Sequence, residues 1–137
     1  MLKAVVDTNV FISGLLKSPS CRKIIDCLKK SKFILIISPQ ILDELIGVIA
    51  RPKFHNVIVR KTAEKLIETI KTQASLVKPS QRVDVIKEDS ADNRFLEAAI
   101  EAKADFIISG NKHLLLLKAF RNIPIVTPAK FLKMLKM

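Results

Sequence analysis

Short apolar runs alternate with amphipathic stretches along the whole of this 137-residue chain, and the connections between them are brief. Residues 3–7 (KAVVD), 33–37 (FILII), 105–109 (DFIIS) and 123–126 (IPIV) are apolar at consecutive positions, not alternate ones. A strand of that kind is covered on both faces, which is the habit of a parallel sheet. Between these runs the apolar residues fall three and four apart, as a helix with one buried side requires. The spacing predicts helices over 9–16, 21–30, 61–74 and 89–102. Another is opened by Ser38-Pro39 and closed at Arg51-Pro52. A short helix is expected over 113–120, and a last one from Thr127-Pro128 to the C-terminus. Ser-Pro and Thr-Pro are natural helix starts, a capping hydroxyl followed by a residue with no amide hydrogen to orphan. The expected fold class is α/β: one domain over 1–137, with a mainly parallel sheet of about four to five strands and helices on both faces.

In such a sheet the functional groups gather beyond the carboxyl ends of the strands. Asp7 ends the first strand, Glu44 lies early in the helix after the second, and Ser109 and Asn111 follow the third. Asp89 and Asp92 open the helix that precedes that third strand and join the group if the helix begins on the same side. Taken singly, each has a plainer role. Asp7, Thr8 or Asn9 can cap a helix, Asp89 and Asp92 have the spacing of a cap pair, and Glu44 can be a solvated helix position. As a set, carboxylates brought together repel, and a bound cation removes that cost. Oxygen donors without Cys or His favour hard ions, Mg²⁺ or Mn²⁺.

The charge is unevenly spread. The chain carries 24 Lys and Arg against 13 Asp and Glu, a net charge of +11, yet residues 83–109 hold 7 acids and 3 bases. A cationic body attracts a polyanion; a Lys-rich solvated surface is the plainer alternative, since 18 of the basic residues are Lys. With no Trp, no Tyr and seven Phe, the chain lacks the aromatic platform of a stacking single-strand binder. Cys21 and Cys27 lie six apart in a predicted helix, about 600° of rotation, so they face different ways and form no disulfide. No Cys/His set has zinc-ligand spacing. No apolar run reaches the roughly 18 residues of a membrane span, and the first residues lack the order of a signal peptide, so a soluble cytoplasmic protein is expected.

Four segments in order resemble the motifs of PIN-domain ribonucleases. They are Asp7-Thr8-Asn9-Val10, the Ser38–Leu45 stretch SPQILDEL, the Asp89–Ala99 stretch DSADNRFLEAA and the Ala104–Leu115 stretch ADFIISGNKHLL. Arg51-Pro52-Lys53-Phe54 and the ending Pro124-Ile125-Val126-Thr127-Pro128 with Phe131-Leu132 are similar to one prokaryotic branch, the toxin components of toxin–antitoxin systems. The resemblance spans nearly the whole chain. It implies an endoribonuclease dependent on Mg²⁺ or Mn²⁺, with Asp7, Glu44 and Asp92 as the catalytic, metal-binding acids and Asn111 as a further metal position. Thr8, Asn9, Asp89 and Ser109 would support the site. Lys53, Arg94 and Lys112 would hold the RNA backbone. A small antitoxin partner and a homodimer are implied as well, with no membrane.

One position departs from the pattern. The branch carries an Asp where this chain has Asn111, which keeps an oxygen but loses a charge and so weakens at least one metal position. Asp105 is no substitute, since six residues of strand span up to about 20 Å. His113 reads as a surface helix residue. Two other readings follow. The chain is a weakened scaffold that binds RNA or protein without cleaving, or Asp7 is a phosphoryl acceptor. The second lacks a neighbouring Asp two residues on and a Lys-bearing motif in context.

Overall fold

β1 spans Lys3–Val6, and its consecutive apolar residues Ala4, Val5 and Val6 are all buried. Because neighbouring strand residues point to opposite faces, both faces of β1 are covered. The computed structural model describes residues 1–136 and continues with α1 (Thr8–Leu16), α2 (Pro19–Lys29), β2 (Ile34–Ile37), α3 (Pro39–Ile49), α4 (Arg60–Gln73) and β3 (Ser75–Leu76). After an irregular crossing come α5 (Asn93–Ala102), β4 (Phe106–Ile108), α6 (Lys112–Leu115), β5 (Ala119–Phe120), β6 (Ile123–Val126) and α7 (Pro128–Leu135). The expectation that the last helix reaches the C-terminus falls, at Met137, outside the described residues. Ser18, Ser38 and Thr127 cap α2, α3 and α7, each accepting from a backbone N–H in the first turn, with Pro next in every case.

The strands form one sheet in the order β3-β2-β1-β4-β6-β5. All pairs are parallel except β5 with β6. The chain leaves β1 toward β2 and β3, then returns to the other side of β1 as β4. The sheet therefore reverses direction between β1 and β4, the place where an open α/β sheet leaves a crevice at its carboxyl edge. α5 packs across β1, β2 and β4, while α2 packs on α1, α4 and α7. Phe131 of α7 is fully buried and meets the rings of Phe33 and Phe106 edge-on, at centroid distances of 5.3 and 5.7 Å. Both cysteines are free, Cys21 buried and Cys27 half-buried.

The six strands exceed the expected four to five. β3 has only two residues, both exposed, and offers no pattern to read. The short helix expected over 113–120 stops at Leu115. Lys118, Arg121 and Asn122 take positive φ, and β5 turns back on β6 through the two-residue loop Arg121-Asn122. Two successive left-handed residues are what a tight hairpin of the right twist requires. Earlier in the chain, a 3-10 turn over Ser90–Asp92 precedes α5, so the regular helix starts at Asn93.

α1 and α2 meet at Gly14. A Cβ there would lie 2.7 Å from the Ile25 Cδ1 and 3.0 Å from the Cys21 backbone carbonyl. The first neighbour can rotate; the second is backbone. Gly14→Val is therefore expected to destabilise the fold by about 1–3 kcal/mol through overpacking. Urea unfolding of the variant checks this, and an unchanged midpoint would contradict the close approach.

Candidate active site

Asp7 leaves β1 with its backbone still in the sheet, its N–H donating to the Ile108 carbonyl at 2.9 Å. Its side chain is buried and caps α1, Oδ1 accepting from the Asn9 N–H at 3.0 Å. Oδ2 accepts from the Ser109 hydroxyl at 2.7 Å, across the β1–β4 crevice. The Ser109 oxygen accepts in turn from the Asn111 N–H at 2.9 Å. Asn111 caps α6, its Oδ1 accepting from the His113 N–H at 2.8 Å, while its Nδ2 donates to Asp92 Oδ2 at 3.0 Å. A continuous hydrogen-bonded path thus joins Asp7, Ser109, Asn111 and Asp92.

Burial raises the Asp7 carboxyl above its ordinary range, opposed by the bonds from Ser109 and Asn9 and raised further by the charge of Asp89. Asp92, only 6 % exposed, is pushed up to about 7 by burial first, then by the charges of Asp7, Asp89 and Glu44. Glu44, half-buried on α3, is raised by burial and by Asp7 and Asp89, with Arg51 acting the other way. These acids therefore stand within one another's fields, as the sheet topology required. Asp89 is exposed and caps the 3-10 turn, its Oδ1 accepting from the Ala91 N–H. Among the described residues the ion pairs are Arg60–Glu64, Lys87–Asp84 and Arg94–Glu97, so none relieves Asp7, Glu44, Asp89 or Asp92.

Thr8, next to Asp7, has a buried hydroxyl without a hydrogen-bond partner. Asn9 is exposed and contributes its backbone. The basic residues divide. Lys112 opens α6 beside Asn111 and is exposed. Lys53 is exposed in the turn after α3, with its ammonium 5.1 Å from the centre of the Phe54 ring. Arg94 is half-buried, and its Nη2 lies 3.3 Å from Glu97 Oε2, so it is engaged inside the protein instead of standing free on the surface. Asp105 sits at the far end of β4, accepting from the Lys3 N–H, well away from the acids.

Two buried polar residues escaped the sequence reading. Asn93 accepts from the N–H groups of Val85 and Ile86 and donates to the carbonyls of Ile86 and Ser90. Glu97 accepts from the Val83 N–H at 2.9 Å. Together they fasten the irregular segment that delivers Asp89 and Asp92. Glu97 had a visible signal, an acid among Phe95, Leu96, Ala98 and Ala99 on the buried side of α5. Asn93 had none.

The donor set suits a hard divalent cation: buried or half-buried carboxylates, mutually repelling, with no basic partner and an orphaned hydroxyl beside them. Asp7, Glu44 and Asp92 fit that role. Asn111 does not, because its oxygen is turned to the α6 backbone and its amide hydrogens face Asp92. Among the described residues no three Asp, Glu, His or Cys side chains are clustered tightly enough to hold an ion unaided; an ion of the Mg²⁺ type keeps several waters and does not need it.

With this geometry in view, the likeness to known proteins is informative. The profile of the PIN domain matches residues 3–113. An uncharacterized protein of Methanocaldococcus jannaschii is 32% identical over 119 residues, which cover 85% of this chain and 76% of that protein. The chain belongs to the PIN-domain family, whose members are in general nucleases. Its fold is also that of a chain in the crystal structure of VapBC2 from Rickettsia felis bound to a DNA fragment from their promoter. There the TM-score is 0.59 at 14% identity, over 92% of this chain and 98% of that one. Among the described residues no helix is long and apolar enough to cross a membrane.

The raised carboxyls have a consequence for stability. A carboxyl raised in the fold holds a proton that the unfolded chain has released, so stability falls as pH climbs from about 4 to the folded pKa. For Asp92 that window ends at about 7. In chelator, Asp92→Asn is expected to be more stable than the wild type at pH 7.5 and equal to it at pH 4, measured by urea midpoint. A variant less stable than the wild type at pH 7.5 would contradict the unrelieved charge.

Proposed function

We propose that this chain is a divalent-metal-dependent endoribonuclease of the toxin type, hydrolysing RNA phosphodiester bonds. The observation that carries the reading is the group of Asp7, Asp92 and Glu44 at one edge of the sheet, all raised by burial, Glu44 and Asp92 raised further by neighbouring acids, and none in an ion pair among the described residues. Asp7 and Asp92 are the principal metal ligands and Glu44 the third. When bound, Mg²⁺ or Mn²⁺ supplies an activated water and neutralises charge on the phosphate. Ser109 holds Asp7 in orientation through its 2.7 Å hydrogen bond. Asp89 contributes field and the cap that sets the turn before Asp92. Thr8 and Asn9 complete the polar lining. Lys112 and Lys53 are the exposed cations that meet the RNA backbone, without reading bases. Arg94, paired with Glu97, supports the segment and leaves that role to them.

The partners follow from the same reading. The toxin type implies an antitoxin, and the VapBC2 resemblance supports one. A cavity of about 770 Å³ between α3 and α4, with Ile46, Ile49, Phe54, Ile58 and Ile67 in its wall, is the surface we assign to a protein partner. A homodimer and a cytoplasmic setting belong to the same reading. The single-domain reading of 1–137 is part of the same proposal, supported by the one sheet that gathers the strands of the described residues.

A second reading has one observation in its favour. Asn111 contributes a donor where the branch has an acid, which fits a weakened PIN scaffold that binds RNA or protein without cleaving. RNA cleavage assays separate the two. With Mn²⁺ or Mg²⁺ the wild type is expected to cleave, and chelator to stop it. Asp7→Asn and Asp92→Asn should each lower kcat by roughly 100-fold or more, and Ser109→Ala, acting through Asp7, by about 10–100-fold. Cleavage unaffected by chelator and by both Asp substitutions would refute the nuclease assignment. Metal binding without cleavage would favour the scaffold.

A further inference from the structure

Two side-chain hydrogen bonds determine which end of the Asn111 amide faces the acids, and its backbone N–H and carbonyl are held as well. Its backbone N–H is held by the Ser109 oxygen at 2.9 Å. Its Oδ1 takes the His113 N–H at 2.8 Å, an amide of the first turn of α6 that has no partner within the helix. Its Nδ2 gives a hydrogen to Asp92 Oδ2 at 3.0 Å. The reverse orientation would set the amide oxygen against a carboxylate oxygen and the NH₂ group against an N–H, two repulsive contacts in place of two bonds. To offer its oxygen to a cation, Asn111 would have to surrender both.

The other acids add a second constraint. Each Asp7 oxygen already accepts one hydrogen bond, from the Asn9 N–H and from the Ser109 hydroxyl. Asp89 is exposed and spent on its turn. Two divalent ions about 4 Å apart need a bridging carboxylate and dense negative charge around both. Here the Ser109–Asn111 side of the crevice presents amide and hydroxyl hydrogens to Asp7 and Asp92, the wrong polarity for a cation. Glu44, which couples to Asp7 and Asp92, adds the remaining negative charge.

We infer that Asn111 is a positioning residue which clamps Asp92 and closes one side of the acidic group, so that the site takes a single divalent ion. The inference rests on the metal-dependent reading above and specifies its stoichiometry. Asp at this position is as good a helix cap as Asn, so Asn111→Asp retains the bond to His113 while replacing the donor by a charge.

Calorimetric titration with Mn²⁺, checked by electron paramagnetic resonance, tests this on the whole chain without reference to catalysis. The wild type is expected to bind one ion per chain. Asn111→Asp is expected to bind two, the second within about tenfold of the first in affinity. Two ions in the wild type would overturn the inference while leaving the metal-dependent nuclease intact. So would a variant of unchanged stoichiometry. Failure of the wild type to bind any ion would overturn both. Nuclear magnetic resonance gives a reading that needs no variant. The Asn111 side-chain NH₂ signals, shifted by the carboxylate bond, are expected to persist when Mg²⁺ saturates the site. Their collapse to the free-amide position would show the oxygen turned to the ion and overturn the clamp.

Discussion

Val6 pairs with Ile108, and that parallel register carries the site. It places the Asp7 N–H on the Ile108 carbonyl and sets Asp7 Oδ2 within 2.7 Å of the Ser109 hydroxyl. A slip of one residue would turn Ser109 to the opposite face and leave Asp7 buried without its strongest donor. The register is itself secured by burial, since Val5, Val6, Ile107 and Ile108 are all sealed on both faces of the sheet. Core packing and site geometry are thus one constraint, met at the point where the sheet reverses direction.

Around that contact the chain accumulates unfavourable charge. Asp7 and Asp92 are buried and Glu44 is half-buried; burial raises all three, and the charges of Asp7 and Asp89 raise Glu44 and Asp92 further. Hydrogen bonds from Asn9, Ser109 and Asn111 offset part of the cost and no Lys or Arg pairs with these acids. Basic residues are plentiful elsewhere: none of the 13 acids lies in residues 110–137, which hold six Lys and Arg. A protein with so many cations forms no ion pair with this group among the described residues, Arg51 only partly offsetting Glu44, and a bound divalent ion is the compensation that the proposed function supplies. The same cationic surface serves to gather a polyanionic substrate before the ion accepts its phosphate.

The α/β alternation, the parallel sheet and the placing of Asp7, Glu44 and Asn111 near one edge were legible in the sequence, because consecutive apolar strands and Ser-Pro caps are local signals; whether Asp92 joins them depends on the side at which its helix begins, which no local signal gives. The two-residue strands β3 and β5 were not, because a ladder that short is set by its neighbour and not by its own side chains. The Leu114–Leu117 run read as helix, yet Leu116 is exposed and the chain turns through left-handed residues toward β5. At the site, residue positions were readable but orientations were not. Asn111 could be placed beside the acids from its spacing; that it faces them with its NH₂ depends on the helix it caps. Arg94 counted as a surface cation until Glu97, three residues on along α5, engaged it. Asn93, which fastens the segment before α5, is invisible to periodicity because its partners are backbone groups.

A divalent cation is the proposed relief for the charge gathered at Asp7, Asp92 and Glu44. Thermal unfolding at pH 7.5, with and without Mn²⁺, addresses it directly. The Tm is expected to rise with Mn²⁺ concentration, by the equivalent of about 2.7 kcal/mol at a hundredfold excess over the dissociation constant, and the rise to be lost in Asp7→Asn. A Tm indifferent to millimolar Mn²⁺, or one raised equally in Asp7→Asn, would contradict it.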